Sequence, residues 1–203
     1  MTPTAPAVVD LLVEAPVAVT HHGGCPASVT VLPEQAIGPV DGALRVYEDG
    51  RVVPGLTTQL HDFGAVSLDL GRLCPGWHTL TVAYTGGSRY RCGSSTPFTV
   101  LVLPAATVAD LVVPPTGIAP GGSLGVTVRT TDATSYASGT IALYERARLV
   151  ATGRVVDGVG TITVPADLRP GLHRMFAAYA GTTTHCPSET QVVAVTVVSS
   201  PAD

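Results

Sequence analysis

The chain of 203 residues contains no lysine and no asparagine, and it is short of aromatic and charged residues. Each shortage excludes something. Without asparagine there is no N-glycosylation acceptor; without lysine there is no Schiff-base or P-loop amine and no lysine-based isopeptide crosslink. All 11 basic residues are arginine, set against 15 acids for a formal charge of -4. Nucleic acid and anionic membranes both need a basic face, so neither is expected as a partner. Long apolar runs are missing too. Tracts such as Val100–Val102 and Val192–Val198 are far shorter than a membrane span, so no membrane insertion is expected. Met1–Val19 has no basic start and is interrupted by Asp10, Glu14, Pro3, Pro6 and Pro16, so it does not read as a signal peptide. Charged residues are only 13% of the chain and hydrophobic ones 45%, which argues against long disorder.

What is abundant points to sheet. The chain has 30 Val and 26 Thr, punctuated by 22 Gly and 17 Pro, the composition of many short strands and many turns. It also carries one pattern twice. Leu73-Cys74-Pro75-Gly76-Trp77-His78 through Tyr84-Thr85-Gly86 aligns without a gap on Leu168-Arg169-Pro170-Gly171-Leu172-His173 through Tyr179-Ala180-Gly181, with half the positions identical. Upstream, Gly42–Glu48 aligns on Gly139–Glu145, and Val29-Thr30-Val31 on Val126-Thr127-Val128, each after a Gly-Gly pair. The spacing predicts tandem domains over 1–103 and 104–203. The linker around Leu103–Ala106 is short and holds a proline, so restricted interdomain motion is expected.

Within each unit the hydrophobic period is two. Val66, Leu68 and Leu70 share one face of their segment; His78, Leu80, Val82 and Tyr84 share one face of theirs, with His173, Met175, Ala177 and Tyr179 as counterparts. Asp49-Gly50 and Asp157-Gly158 are hairpin signals, because both residues tolerate the positive φ of a tight turn. Gly50 has Ala147 as its counterpart, so that second hairpin should turn differently. Strands are expected near 8–13, 27–32, 43–48, 51–60, 65–70, 77–84 and 97–103. In the second unit they are expected near 107–113, 123–130, 140–145, 148–156, 160–164, 172–180 and 190–198. No segment has a helical stripe. The fold class is therefore all-β: two antiparallel sandwiches.

The run Leu-x-Pro-Gly-x-His-x-apolar-x-apolar-x-Tyr-x-Gly, placed after a Gly-x-apolar-x-apolar-Tyr strand, resembles the bacterial immunoglobulin-like domain repeats. The resemblance covers about Val8 to Val198, twice over, and implies two tandem immunoglobulin-like β-sandwiches. It specifies a fold and says almost nothing of a role, since such modules serve as spacers, adhesive tips and particle decorations. The vertebrate inter-sheet disulfide with its tryptophan is absent. In physical terms, Leu73 and Leu168 can plug a sandwich end, Pro-Gly makes the sharp entry into the next strand, and Tyr84 and Tyr179 can bury a ring while bonding a loop through the hydroxyl.

Catalytic and metal chemistry find little support. His21-His22-Gly23-Gly24-Cys25 offers imidazole and thiolate but lacks a four-ligand spacing, and reads as a solvated glycine-rich loop. His78 and His173 match because the pattern repeats, and read as fold histidines bonded to neighbouring backbone. His61-Asp62 has no serine in a nucleophile elbow. The glycine loops at Gly86 and Gly93 precede no helix, and the aspartates lack calcium-loop spacing. No catalytic residue, metal site or cofactor is expected, and no enzyme.

Contact residues are better supported. Trp77 falls on the outward register of its strand and Phe176 on the corresponding register of the second unit. Arg89, Tyr90 and Arg91 form the single basic and aromatic loop cluster. An outward Trp anchors a carbohydrate or protein partner, or simply packs on a neighbouring loop. The expected role is a non-catalytic structural or interaction protein displayed on a particle, such as a phage capsid decoration or tail-associated protein at the virion surface. The alternative is a secreted or cell-wall adhesion or carbohydrate-binding module in the extracellular space. The partner is accordingly a capsid, tail or cell-surface protein, or a surface glycan. From the strand order of an immunoglobulin-like sandwich, Cys25 and Cys74 are expected to share one end and form a disulfide. Cys74–Cys186 is the alternative and Cys92 stays unpaired; in a reducing compartment all four stay thiols.

Overall fold

A computed structural model describes residues 6–24, 26–60, 64–132 and 135–199. Among the described residues the protein is all-β apart from one 3-10 turn at Leu70–Arg72, and its contacts fall into two compact units, Met1–Leu103 and Pro104–Asp203.

The first unit is built from β1 (Val9–Glu14), β2 (Ala18–Thr20), β3 (Pro26–Pro33), β4 (Gly42–Glu48), β5 (Arg51–Leu60), β6 (Ala65–Asp69), β7 (Gly76–Tyr84), β8 (Gly93–Ser94) and β9 (Phe98–Leu103). One sheet has the order β1-β3-β6, the other β2-β9-β7-β4-β5 with β8 also on β7. Leu44, Val46, Leu80, Val82, Val100 and Val102 of the second sheet join Val29, Val31 and Leu68 of the first in one buried cluster. Each such side chain contributes about 1.5–3 kcal/mol by leaving water. Period two is obeyed: on β7, Leu80, Val82 and Tyr84 are buried while Trp77 and Thr79 are exposed.

Short strands escape the sequence pattern. After the expected first strand the chain leaves β1 and crosses at Ala15-Pro16-Val17 to the other sheet, where the unexpected β2 runs parallel to β9. Proline interrupts a ladder by removing a donor. Strands as short as β2 and β8 carry no measurable periodicity.

The second unit contains β10 (Thr107–Val112), β11 (Ser123–Thr130), β12 (Gly139–Glu145), β13 (Arg148–Val156), β14 (Val159–Thr163), β15 (Gly171–Tyr179), β16 (Ser188–Glu189) and β17 (Val193–Val197). Asp49 and Gly50 have φ of 48° and 75°, and Asp157 and Gly158 have 48° and 80°, the double left-handed turn that suits tight hairpins. At the β12–β13 hairpin only Arg146 is left-handed, at φ 56°, and Ala147 is not, so the alanine does change the turn.

The units differ at one seam. In the second, β13 pairs with both β12 and β14, giving a continuous sheet β10-β11-β14-β13-β12-β15-β16 with β17 also on β15. In the first, β5 pairs with β4 alone among the described residues, and β6 belongs to the other sheet. The β4–β5 register differs as well. Arg45 faces Thr57 and Tyr47 faces Val52, so Val53-Pro54-Gly55-Leu56 bulges opposite Val46 alone. The corresponding irregularity in the second unit leaves over only Val150. A bulge bends its strand and increases the local twist, and β5 carries the larger of the two.

Candidate interaction surface

Both units close one end with the same device. Tyr84 and Tyr179 are each 1% exposed, and their hydroxyls donate to the carbonyls of Asp41 and of Ser138 (3.0 Å). The glycine that begins the facing strand makes the room: a Cβ on Gly42 would stand 2.9 Å from the Tyr84 ring, and one on Gly139 would stand 2.9 Å from the Tyr179 ring. Burial pushes both phenols above the ordinary value of 10.0, and at Tyr84 the Asp41 charge adds to it. A phenol whose ionisation is raised in the fold contributes stability that is complete below the unfolded value and lost as pH rises through the folded one. Stability should therefore fall above about pH 10. Absorbance titration should show a late phenol phase, carried by Tyr84 and Tyr179, that coincides with unfolding; the absence of a late phase would contradict it.

The paired histidines are clamps. His78 places Nδ1 2.8 Å from Glu48 Oε1 and Nε2 2.7 Å from the Cys74 carbonyl; His173 repeats this with Glu145 Oε1 at 2.9 Å and the Arg169 carbonyl at 2.8 Å. A carbonyl only accepts, so Nε2 donates there, and Nδ1 is held against the carboxyl group. Both nitrogens of each ring are thus engaged by fixed partners. The backbone contact is the expected one; the carboxylates of Glu48 and Glu145 lie 30 and 28 residues upstream, and nothing in the sequence connects them to these rings.

The proposed contact residues do not form one patch. Trp77 is 68% exposed, at the start of β7, facing Leu101 across the ladder with exposed Leu103 farther along β9. Phe176 is half-buried and stacks on Tyr144 with ring centroids 5.4 Å apart, so it packs on its own sheet. Tyr90 is 1% exposed: its hydroxyl donates to the Gly38 carbonyl at 2.7 Å and accepts from the Ile37 amide. The expectation of an exposed Tyr90 is corrected here. The segment is extended and bridges to Ala7, and alternation turns Tyr90 inward and Arg89 and Arg91 outward. The repeat carried the signal, because the offset relating Tyr84 to Tyr179 relates Tyr90 to His185, which is also buried and bridges to Ala105.

Arg89 lies over Gly38, and Arg91 donates from Nε to the Pro6 carbonyl at 3.1 Å. Asp41 ties down the same loop, accepting from the Ser88 amide at 3.2 Å and from its hydroxyl at 3.0 Å. These bonds hold the Asp41 carboxyl below the usual carboxylate range. These contacts anchor the segment.

His21 is also turned inward, 8% exposed with Nδ1 2.8 Å from the Leu73 carbonyl, so its loop is not merely solvated. The expected Cys25–Cys74 bond involves Cys25, which lies outside the described residues, as do His61 and Asp62. Cys74 and Cys92 are exposed thiols and Cys186 is a half-buried one.

Solved structures of similar architecture include the Yersinia pseudotuberculosis adhesin InvE, at 16% identity and a TM-score of 0.38 over 92% of this chain and 58% of that one. Another is the Bacteroides ovatus mixed-linkage glucan utilization protein SGBP-B in complex with a heptasaccharide, at 13% identity and 0.29, over 95% of this chain and 48% of that one. Chicken CNTN1 domains FN1–FN3 are similar at 9% identity and 0.32, over 96% and 69%. Likenesses this distant carry no functional argument. A comparison with curated proteins finds no match. The sequence of residues 111–198, most of the second unit, matches the family model of the bacterial Ig-like domain (group 3).

Proposed function

We propose that the chain is a non-catalytic interaction module displayed on a surface, an adhesion-type protein that binds a protein or glycan through the face around Trp77. One observation carries the reading. The chain's single tryptophan sits on a paired strand with 68% of its surface in water, beside Leu101 and exposed Leu103, where burial in its own core is not what fixes it. A large rigid ring on an ordered strand loses little entropy on binding and removes much apolar area from water, which suits both the apolar face of a sugar and a protein anchor pocket. The histidines, whose nitrogens are engaged by fixed partners, support a scaffold role for the most chemistry-bearing side chains.

Trp77 also reports on its own site. Emission should shift on titration with the cognate surface protein or glycan, found by screening immobilised glycans and envelope proteins. Trp77→Ala should weaken that binding at least about tenfold, with melting unchanged. Undiminished binding by the alanine variant would overturn the assignment. Mass spectrometry of purified virions against cell-envelope fractions identifies the carrying surface.

A further inference from the structure

The free edge of β5 is a strand-pairing site, and we propose that its occupant is the β5 of a second copy of this chain. The argument starts from which backbone groups point outward. Thr85 donates to the Ala43 carbonyl from the β7 side, so Ala43 directs its backbone at β7 and its neighbour Leu44 directs its backbone at β5. Leu44 faces Thr58, so Thr58 is bonded to β4, and alternation leaves the N–H and C=O of Thr57 and Gln59 directed away from β4. Among the described residues no strand receives them.

The second unit shows what this edge takes. Gly42 faces Leu60 and Gly139 faces Val155, so Gln59 corresponds to Arg154, and Arg154 pairs with Thr161 of β14. In the first unit that seam is a groove of about 200 Å³, lined by Gly55, Thr57, Thr58, Ser67, Asp69 and Arg72 among others. Two strand edges border it where the sister unit has a closed sheet.

A second copy fits for three reasons. First, two identical strands related by a twofold axis pair antiparallel, and an axis through Thr58 sets Thr57 opposite Gln59 of the partner subunit. These are the outward-directed groups, so each of the two pairs exchanges two bonds, four in all. Second, this register keeps every residue on its face: Leu56, Thr58 and Leu60 stay inward, Thr57 and Gln59 stay exposed. Third, no charge lies between Val52 and Leu60, so identical strands meet without repulsion. Natural edges are blunted by charge, proline or bulges. Here Pro54 and the bulge protect one half of β5 and leave Thr57–Leu60 bare.

The joined sheets would present both copies of Trp77 on one face at diagonally opposite corners, about 24 Å apart across the strands and about 46 Å apart along them, because Trp77 lies seven residues from Tyr84 in the row of the axis. That consequence rests on the reading of Trp77 above; the pairing itself does not.

A strand joint this short is a small interface, so the dissociation constant should be on the order of 10–100 μM. Sedimentation equilibrium of the whole chain should show the mass rising from 20.7 kDa to twice that across this range. The variant Thr57→Lys/Gln59→Lys places like charges opposite each other at two exposed positions. It should remain at 20.7 kDa with an unchanged melting temperature. A wild type that stays monomeric at about 1 mM, tenfold above the range, overturns the proposal. So does a dimer indifferent to the two lysines. A monomer whose Thr57 and Gln59 amides become protected from exchange only on adding an extended peptide gives the edge to another polypeptide, and also overturns it. None of these outcomes depends on whether Trp77 binds a partner.

Discussion

Replacing Tyr179 with alanine should lower the stability of the second unit by about 3–5 kcal/mol, the range for deleting a buried aromatic ring. The ring is 1% exposed, lies in the cluster with Ile141, Met175 and Val195, and covers Gly139. In a domain of this size each kcal/mol moves the melting temperature by roughly 4–8 °C, so the shift should be about 12 °C or more. Tyr179→Phe keeps the ring and loses the hydroxyl with its bond to the Ser138 carbonyl, and should cost about 1 kcal/mol. Denaturant unfolding followed by far-ultraviolet circular dichroism separates the two variants. A Tyr179→Ala chain that melts with the wild type would remove this ring from the core.

Gly42→Ala should cost the first unit about 3 kcal/mol, from two causes that act together. The backbone there has φ +116°, which side chains rarely adopt, and a Cβ would stand 2.3 Å from the Gly86 carbonyl oxygen and 2.9 Å from the Tyr84 ring. Backbone on one side and a buried ring on the other leave little room to give. Gly50→Ala is the control. Its φ is +75°, but a Cβ there meets nothing within 4 Å, so it should lose only the left-handed preference, about 1 kcal/mol. Since the single tryptophan lies in the first unit, its fluorescence follows this transition directly. Equal midpoints for the two variants would show that conformation alone, and not the close approach to Tyr84, fixes glycine at position 42.

Local physics made much of this visible in the sequence. Alternation on β7 and β15 places Leu80, Val82 and Tyr84, and Met175, Ala177 and Tyr179, inward without reference to any neighbour, because a strand has only two faces. Asp49-Gly50 and Asp157-Gly158 predict tight turns because the two residues supply the required positive φ themselves. The outward face of Trp77 follows from the same parity as the buried leucines beside it.

Pairing between distant segments is a different matter. That Tyr90 is buried follows from a bridge to Ala7, and that Phe176 is covered follows from Tyr144 on the neighbouring strand. Glu48 reaches His78 because β4 and β7 are adjacent, a fact no spacing contains. The bare edge of β5 depends on β6 pairing with β3 in the other sheet, and the bulge opposite Val46 depends on how β4 and β5 are aligned. By itself the sequence determined the fold class, the turns and which face of each long strand is wet, since these depend on a residue and its immediate neighbours. Which edges stay unpaired and which outward aromatics stay exposed was decided only in the tertiary structure. Both depend on the register of strands far apart in the chain, and a bulge of a few residues is enough to change it.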